Sequence, residues 1–293
     1  MLMKQSVFLV LCYLLFNFSV FAQSSQNYND FSQLTLEMKF GKERFVVFEP
    51  LAVTFTLKNS TNKPVEAHQL MNFESNLLKI FVLDGSQKRE MLRVESEANL
   101  SEEATFEIKP GEELRYNALL TLDLDKAFPT PGKYKIQAEL YPLKGKTIVI
   151  SNIVTIEIEE PKGTDLEAYK FLISNRQEPH LLLDTGDLHT DPARVETISS
   201  FLSSHPASPY SDYIAYTLGI YYFYKEEYKK SVDLHEQLFK KQALLLEDRV
   251  IPYLIVGYRR LRSTEKEKFF KEVEKKRVVE IEEAKKKGIY IIK

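Results

Sequence analysis

The spacing of apolar residues changes once along this chain, and that change constrains the fold more than any other feature. From Leu34 to Glu160 the apolar residues recur at every second position. Beyond Pro161-Lys162-Gly163 they recur at helical spacing. A period of two sends alternate side chains to opposite faces of a strand, whereas i, i+3, i+4 spacing builds one face of a helix. A chain that switches once is expected to build two cores in series. Its 293 residues suffice for both.

The first part reads as strands punctuated by turns. LTLEMKF, RFVVFE and LAVTFTLKN alternate, and NSTNKP supplies turn chemistry before the next entry at Pro64. LLKIFVLD is a candidate buried strand closed by Asp84-Gly85. Two further strands flank Pro110-Gly111, Pro131-Gly132 opens GKYKIQAELYP, and Lys144-Gly145 leads into TIVISNIVTIEIEE. Many short strands at near-regular spacing imply a β-sandwich or barrel. The segments EPLAVTFTLKNSTNKPV, IKPGEEL, PGKYKIQAELY and SNIVTIEIEEP resemble the immunoglobulin-like domains that precede helical repeats in many exported bacterial proteins. The same order is similar to the sandwich of a bacterial intracellular proteinase-inhibitor family. The resemblance implies an N-terminal immunoglobulin-like antiparallel β-sandwich over residues 34–161.

The second part reads as helices. Thr164-Asp165 offers an N-cap ahead of Leu166, Pro192 suits a helix start, and His205-Pro206 ends that helix. Pro209 to Lys241 then reads as two helices folded back on each other. The first is apolar on more than one face, so neighbouring helices must cover it. Leu218-Gly219, Tyr222, Tyr228, Ser231 and Val232 resemble a tetratricopeptide repeat in type and spacing. Ala215, His235 and Ala243 depart from that family, which favours Trp, an aromatic and Pro there. RVIPYLIVGYRRL is a weaker echo, with Gly257 answering Gly219. The resemblance implies a C-terminal α-helical tetratricopeptide-like hairpin stack over residues 165–262. The run from Phe201 to Leu238 also looks like the helical repeats of bacterial envelope-assembly lipoproteins. Residues 263–293 read as a charged helix and tail, with a patchy seam of Phe269, Phe270, Val273, Val278 and Ile281. That helix either caps the stack or binds a partner, and GIYIIK is expected to tuck back or dock.

The beginning of the chain carries an address. Lys4, the apolar run Val7 to Phe21 and the site Val20-Phe21-Ala22 form the three-part pattern of a secretory signal peptide over residues 1–22. A polar leader follows at 23–33; an uncleaved membrane anchor is the alternative. Cys12 is the single cysteine and lies within the signal, so cleavage leaves no disulfide or thiol chemistry. The expected setting is periplasmic, outer-surface or secreted in a bacterium, with no membrane span after signal cleavage. A net charge of −2 gives nucleic acid no electrostatic footprint.

Motifs for bond-making chemistry are few. His205, Ser208 and Asp212 are triad residue types, but they lie within one turn, where capping is the expected duty. Asp184, Asp187, His189 and Asp191 crowd one loop as weak candidates for a divalent cation, and Asp191 before Pro192 is also a natural N-cap. There is no Gly-rich phosphate loop, HExxH or GxSxG. No cofactor and no enzyme activity are expected. The repeat resemblance places Tyr213, Tyr216, Ile220 and Phe223 along a groove for a peptide or protein partner in the cell envelope. The alternative is that these four are core. The function expected is therefore a non-catalytic interaction module, working through the helical groove or a sandwich edge. A proteinase-inhibitor-like sandwich and a carbohydrate-binding accessory protein are the other readings; the absence of Trp counts against the last.

Overall fold

The computed structural model describes residues 34–68, 77–84, 87–90, 105–120, 124–142, 147–175, 188, 191–243 and 246–292. The expected signal peptide and leader lie outside the described residues, as do Asp184, Asp187 and His189. Strands β1 (Leu34–Phe40), β2 (Arg44–Val46), β3 (Leu51–Asn59), β4 (Val65–His68), β5 (Leu78–Asp84), β6 (Gln87–Glu90), β7 (Thr105–Ile108), β8 (Glu113–Leu120), β9 (Gly132–Leu140), β10 (Val149–Ile150) and β11 (Val154–Glu159) come first, with a four-residue helix α1 (Leu124–Ala127) among them. Helices α2 (Thr164–Ser174), α3 (Pro192–Ser204), α4 (Ser211–Tyr224), α5 (Tyr228–Lys241), α6 (Glu247–Arg260) and α7 (Thr264–Lys286) follow, and β12 (Ile289–Ile292) comes last. The molecule is thus multidomain β plus α, and the strand-to-helix switch falls between Glu159 and Thr164.

The strands form two main sheets. One runs β1-β3-β8-β12; the other runs β2-β11-β9-β5-β6, with β10 also on β9. β4 and β7 make a separate pair. β1 shows how the pattern dictates the layer: Leu34, Leu36, Met38 and Phe40 are buried while Thr35, Glu37 and Lys39 are exposed. The inner faces of both sheets, including Phe55, Leu57, Ile80, Val82, Ile136 and Ile156, share one hydrophobic core. Asn152 stitches the sheets at one side. Its Oδ1 accepts from the Met38 amide at 2.7 Å and its Nδ2 donates to the Met38 carbonyl at 3.1 Å, supplying β1 with the partner groups its edge needs.

The expectation of purely antiparallel sheets is corrected at two places. β2 lies parallel to β11, and β12 lies parallel to β8. In neither pair are the strands neighbours in sequence. A hairpin forces antiparallel pairing, but a long excursion leaves the direction free.

The helices pack as successive hairpins. Asp191 caps α3 by accepting from the Arg194 amide at 3.1 Å, with Pro192 in the first turn. Gly219 on α4 faces the ring of His235 on α5, and a Cβ there would land within contact distance of Nε2. Gly257 on α6 faces Val232 on α5, with the same crowding. The bare backbone at these two positions lets α4 and α6 close on α5 from either side. Glu236 of α5 ties three helices together. It accepts from Tyr258 of α6 and pairs with Lys266 of α7 at 2.7 Å.

The helical core is completed by the sheets. Val46, Phe48 and Leu119 pack against it. The Tyr210 hydroxyl donates to the Val47 carbonyl at 2.6 Å, and the Tyr213 hydroxyl donates to the Pro50 carbonyl at 3.3 Å. Phe48, at φ 68°, sits 5.5 Å from the Tyr169 ring. The β2–β3 connection is therefore wedged into the helical unit.

Candidate partner-binding face

The sequence of α4, SDYIAYTLGIYYFY, cannot bury all its sides against two neighbours. Tyr213, Ile214, Leu218 and Ile220 are buried, while Tyr216 and Phe223 are half-buried and Tyr224 is 62% exposed. Positions 216, 223 and 224 are spaced i, i+7 and i+8, so they share one helix face. Tyr228 at the start of α5 and Tyr253 on α6 join them. Phe223 lies 5.2 Å from Tyr253, 5.7 Å from Tyr228 and 5.8 Å from Tyr224, each edge-on. Edge-to-face rings at such distances hold one another in place. A fixed ring costs little further side-chain entropy when it binds.

His235 is the floor under these rings. It is fully buried, 5.1 Å from Tyr253 and 6.1 Å from Tyr216, with Ser231 Oγ 3.5 Å from its Nδ1. Burial lowers its pKa to about 4 against the pull of the Tyr216 carbonyl, so it is neutral at pH 7. Burial likewise pushes Tyr253 up to about 12. It also raises Tyr216, with the Arg249 guanidinium pulling the other way. At neutral pH the face thus presents uncharged phenols, one phenyl ring and the exposed cation of Arg249. It can stack on apolar or planar groups and donate hydrogen bonds. Its imidazole is sealed beneath the rings.

The four residues expected on the groove divide. Tyr216 and Phe223 are on the half-exposed face. Ile220 is core, and Tyr213 points its hydroxyl into the junction with the sheets. Tyr224, Tyr228, Tyr253 and Arg249 were not anticipated. One signal could have found Tyr253. At the 38-residue offset linking Gly219 to Gly257, it answers Ala215.

The other candidates scatter. Asp212 pairs with Lys241 at 2.7 Å, Ser208 Oγ accepts from the Tyr210 amide at 3.2 Å, and the His205 ring rests against Phe201 and Phe171. His205 and Ser208 line a cleft of about 170 Å³ beside Asp165 and Glu167, without a nucleophile–base–orienter chain. Asp191 is spent on its cap. Among the described residues no three His, Cys, Asp or Glu side chains gather as a metal site, and no helix is long and apolar enough to cross a membrane.

No protein-family model matches the chain. No curated protein matches it either. Among solved structures, the sporulation control protein Spo0M from Bacillus subtilis is 15% identical over 50% of this chain and 56% of that one, at a TM-score of 0.28. A β-glucosidase from Listeria innocua in complex with glucose is 13% identical over 43% of this chain and 16% of that one, at 0.26. The β-glucosidase EmGH1 from Erythrobacter marinus is 13% identical over 43% and 15%, at 0.25. The chain thus spans little more than half of the first and less than a fifth of the other two. Likeness at this level carries no argument about fold or activity.

Proposed function

We propose that this chain is a non-catalytic protein-interaction module exported to a bacterial cell envelope, which grips a peptide or protein partner on the aromatic face of α4–α6. In this reading the two-sheet unit is an immunoglobulin-like sandwich and the helical unit a short tetratricopeptide-like stack. The observation that carries it is the ring cluster Tyr216, Phe223, Tyr224, Tyr228 and Tyr253, held over a buried neutral histidine and left partly open. Preset aromatic rings beside one arginine are the residue types that dominate binding hot spots. Export is supported by Lys4, the apolar run to Phe21 and the small residue Ala22.

Photo-crosslinking tests this reading. A photoreactive residue at Tyr224 in the source bacterium should yield a discrete adduct in the envelope fraction, and Tyr253→Ala should abolish it in a chain that keeps its helical circular-dichroism signal. The same residue at the exposed Lys170, on α2, should yield none. Identical adducts from both positions, or a chain found in the cytoplasm, would overturn it.

A further inference from the structure

The four-stranded sheet ends on a strand delivered by the helical unit. α7 pairs Arg277 with Glu247 and Asp248 at the start of α6, at 2.8 and 3.0 Å, then overshoots α6. Gly288 turns the chain at φ 78°, where a Cβ would meet Glu112 Cγ at 2.9 Å. Its carbonyl accepts from the Glu113 amide at 2.7 Å, and β12 then runs parallel to β8, from Ile289 opposite Glu113 to Ile292 opposite Tyr116.

The side chains of β12 contribute unevenly. Tyr290 lies opposite the buried Leu114, packs on the sheet core and donates to Glu112 Oε1 at 3.1 Å. Ile289 and Ile291 fall on the outer face beside Glu113 and Arg115, which already bond each other at 2.7 Å. Among the described side chains the hold is one inward aromatic, with one glycine and a short ladder of main-chain bonds. Phe270 is the one fully buried side chain of α7, and it lies far up the helix. An element with so few buried contacts opens at less cost than the core strands. Opening exposes the free edge of β8, which is a template for another strand.

We propose that the β8 edge from Glu113 to Tyr116 is a strand-acceptor site, which β12 occupies until a partner protein displaces it. The displacing segment is extended and parallel, with β-branched residues, a glycine at its start and an aromatic two residues on. Its chemistry is read from the occupant in place, and it is independent of the aromatic face on α4–α6. Main-chain bonds give such additions their affinity and inward pockets their selectivity. The tethered strand competes at an effective concentration of roughly millimolar order, so only a well-matched segment wins.

A fluorescent peptide GIYIIK is the probe, titrated into the wild-type full chain and into a Tyr290→Asp, Ile291→Pro full-length variant. The variant should bind at least tenfold more tightly than wild type, and a control peptide with aspartate for tyrosine should not bind. Equal binding by both proteins, or equal binding of both peptides, overturns the proposal. A dimer of the variant without peptide would assign the edge to a second copy and overturn the partner assignment. Should the variant fail to fold, hydrogen exchange on the wild-type chain decides. Amides of β12 exchanging well before those of β3 support the proposal; equal protection overturns it.

Discussion

The two cores differ in what they do with polar side chains. In the sheet core, Asn59 and Ser151 spend their hydrogen bonds on their own unit. Asn59 Nδ2 donates to the Ile108 carbonyl at 2.7 Å, and Ser151 Oγ accepts from the Ala138 amide at 2.8 Å. In the helical core, Tyr210 and Tyr213 reach out to carbonyls of the β2–β3 connection, and His235 sits neutral in the interior. The first core is closed by the strands that precede the helices, with only Tyr290 of β12 packed against it from the helical side. The second is finished by a neighbour, since Val46, Phe48 and Leu119 cover part of it. The difference teaches an order of dependence: the helical unit needs the sheets more than the sheets need the helices.

The strongest way to break this comparison is to hollow out the sheet core. Phe55→Ala removes a fully buried ring, and the expected loss is about 3–5 kcal/mol by denaturant unfolding. The helical circular-dichroism signal should fall in the same transition. A helical signal that survives to a separate, higher midpoint would contradict the dependence.

Acid probes the helical core next. His235 has a folded pKa of about 4, below the ordinary value of 6.5, so the unfolded chain takes up the proton first. Its contribution is complete above about pH 6.5 and is lost progressively as pH falls to about 4, a total of roughly 3 kcal/mol. His235→Phe should remove that share of the pH slope in urea unfolding. A variant with the wild-type slope would place the acid sensitivity elsewhere.

Gly219→Ala should cost about 1–3 kcal/mol, because the added methyl meets the His235 ring in a filled interior. Combining it with His235→Ala should cost less than the sum of the two, since the second change vacates the space the first invades. Additive losses would mean that the two residues do not bear on each other. The smallest effect is Tyr210→Phe, expected at about 1–2 kcal/mol through the orphaned Val47 carbonyl. It sharpens the comparison if the sheet signal keeps its midpoint while the helical signal shifts down.

The helical face was half legible in the sequence. Tyr216 and Phe223 were named from the repeat spacing and are half-exposed, because a helix fixes which positions share a side. Tyr213 and Ile220 were named with them and are buried, because spacing does not say what lies opposite. Tyr253 needed the next hairpin to arrive beside Phe223. That contact spans 30 residues of chain and has no local signature.

Local periodicity decided by itself that this chain pleats first and coils afterwards. This follows from backbone geometry, which repeats every two residues or every 3.6. Only the tertiary structure decided that β12 returns to β8, that it lies parallel, and that Tyr210 just before α4 and Tyr213 within it anchor the helices to the sheets. Such pairings join segments from opposite ends of the sequence. Main-chain hydrogen bonds accept any side chains in the ladder, so the choice falls to whatever edge the rest of the fold leaves open.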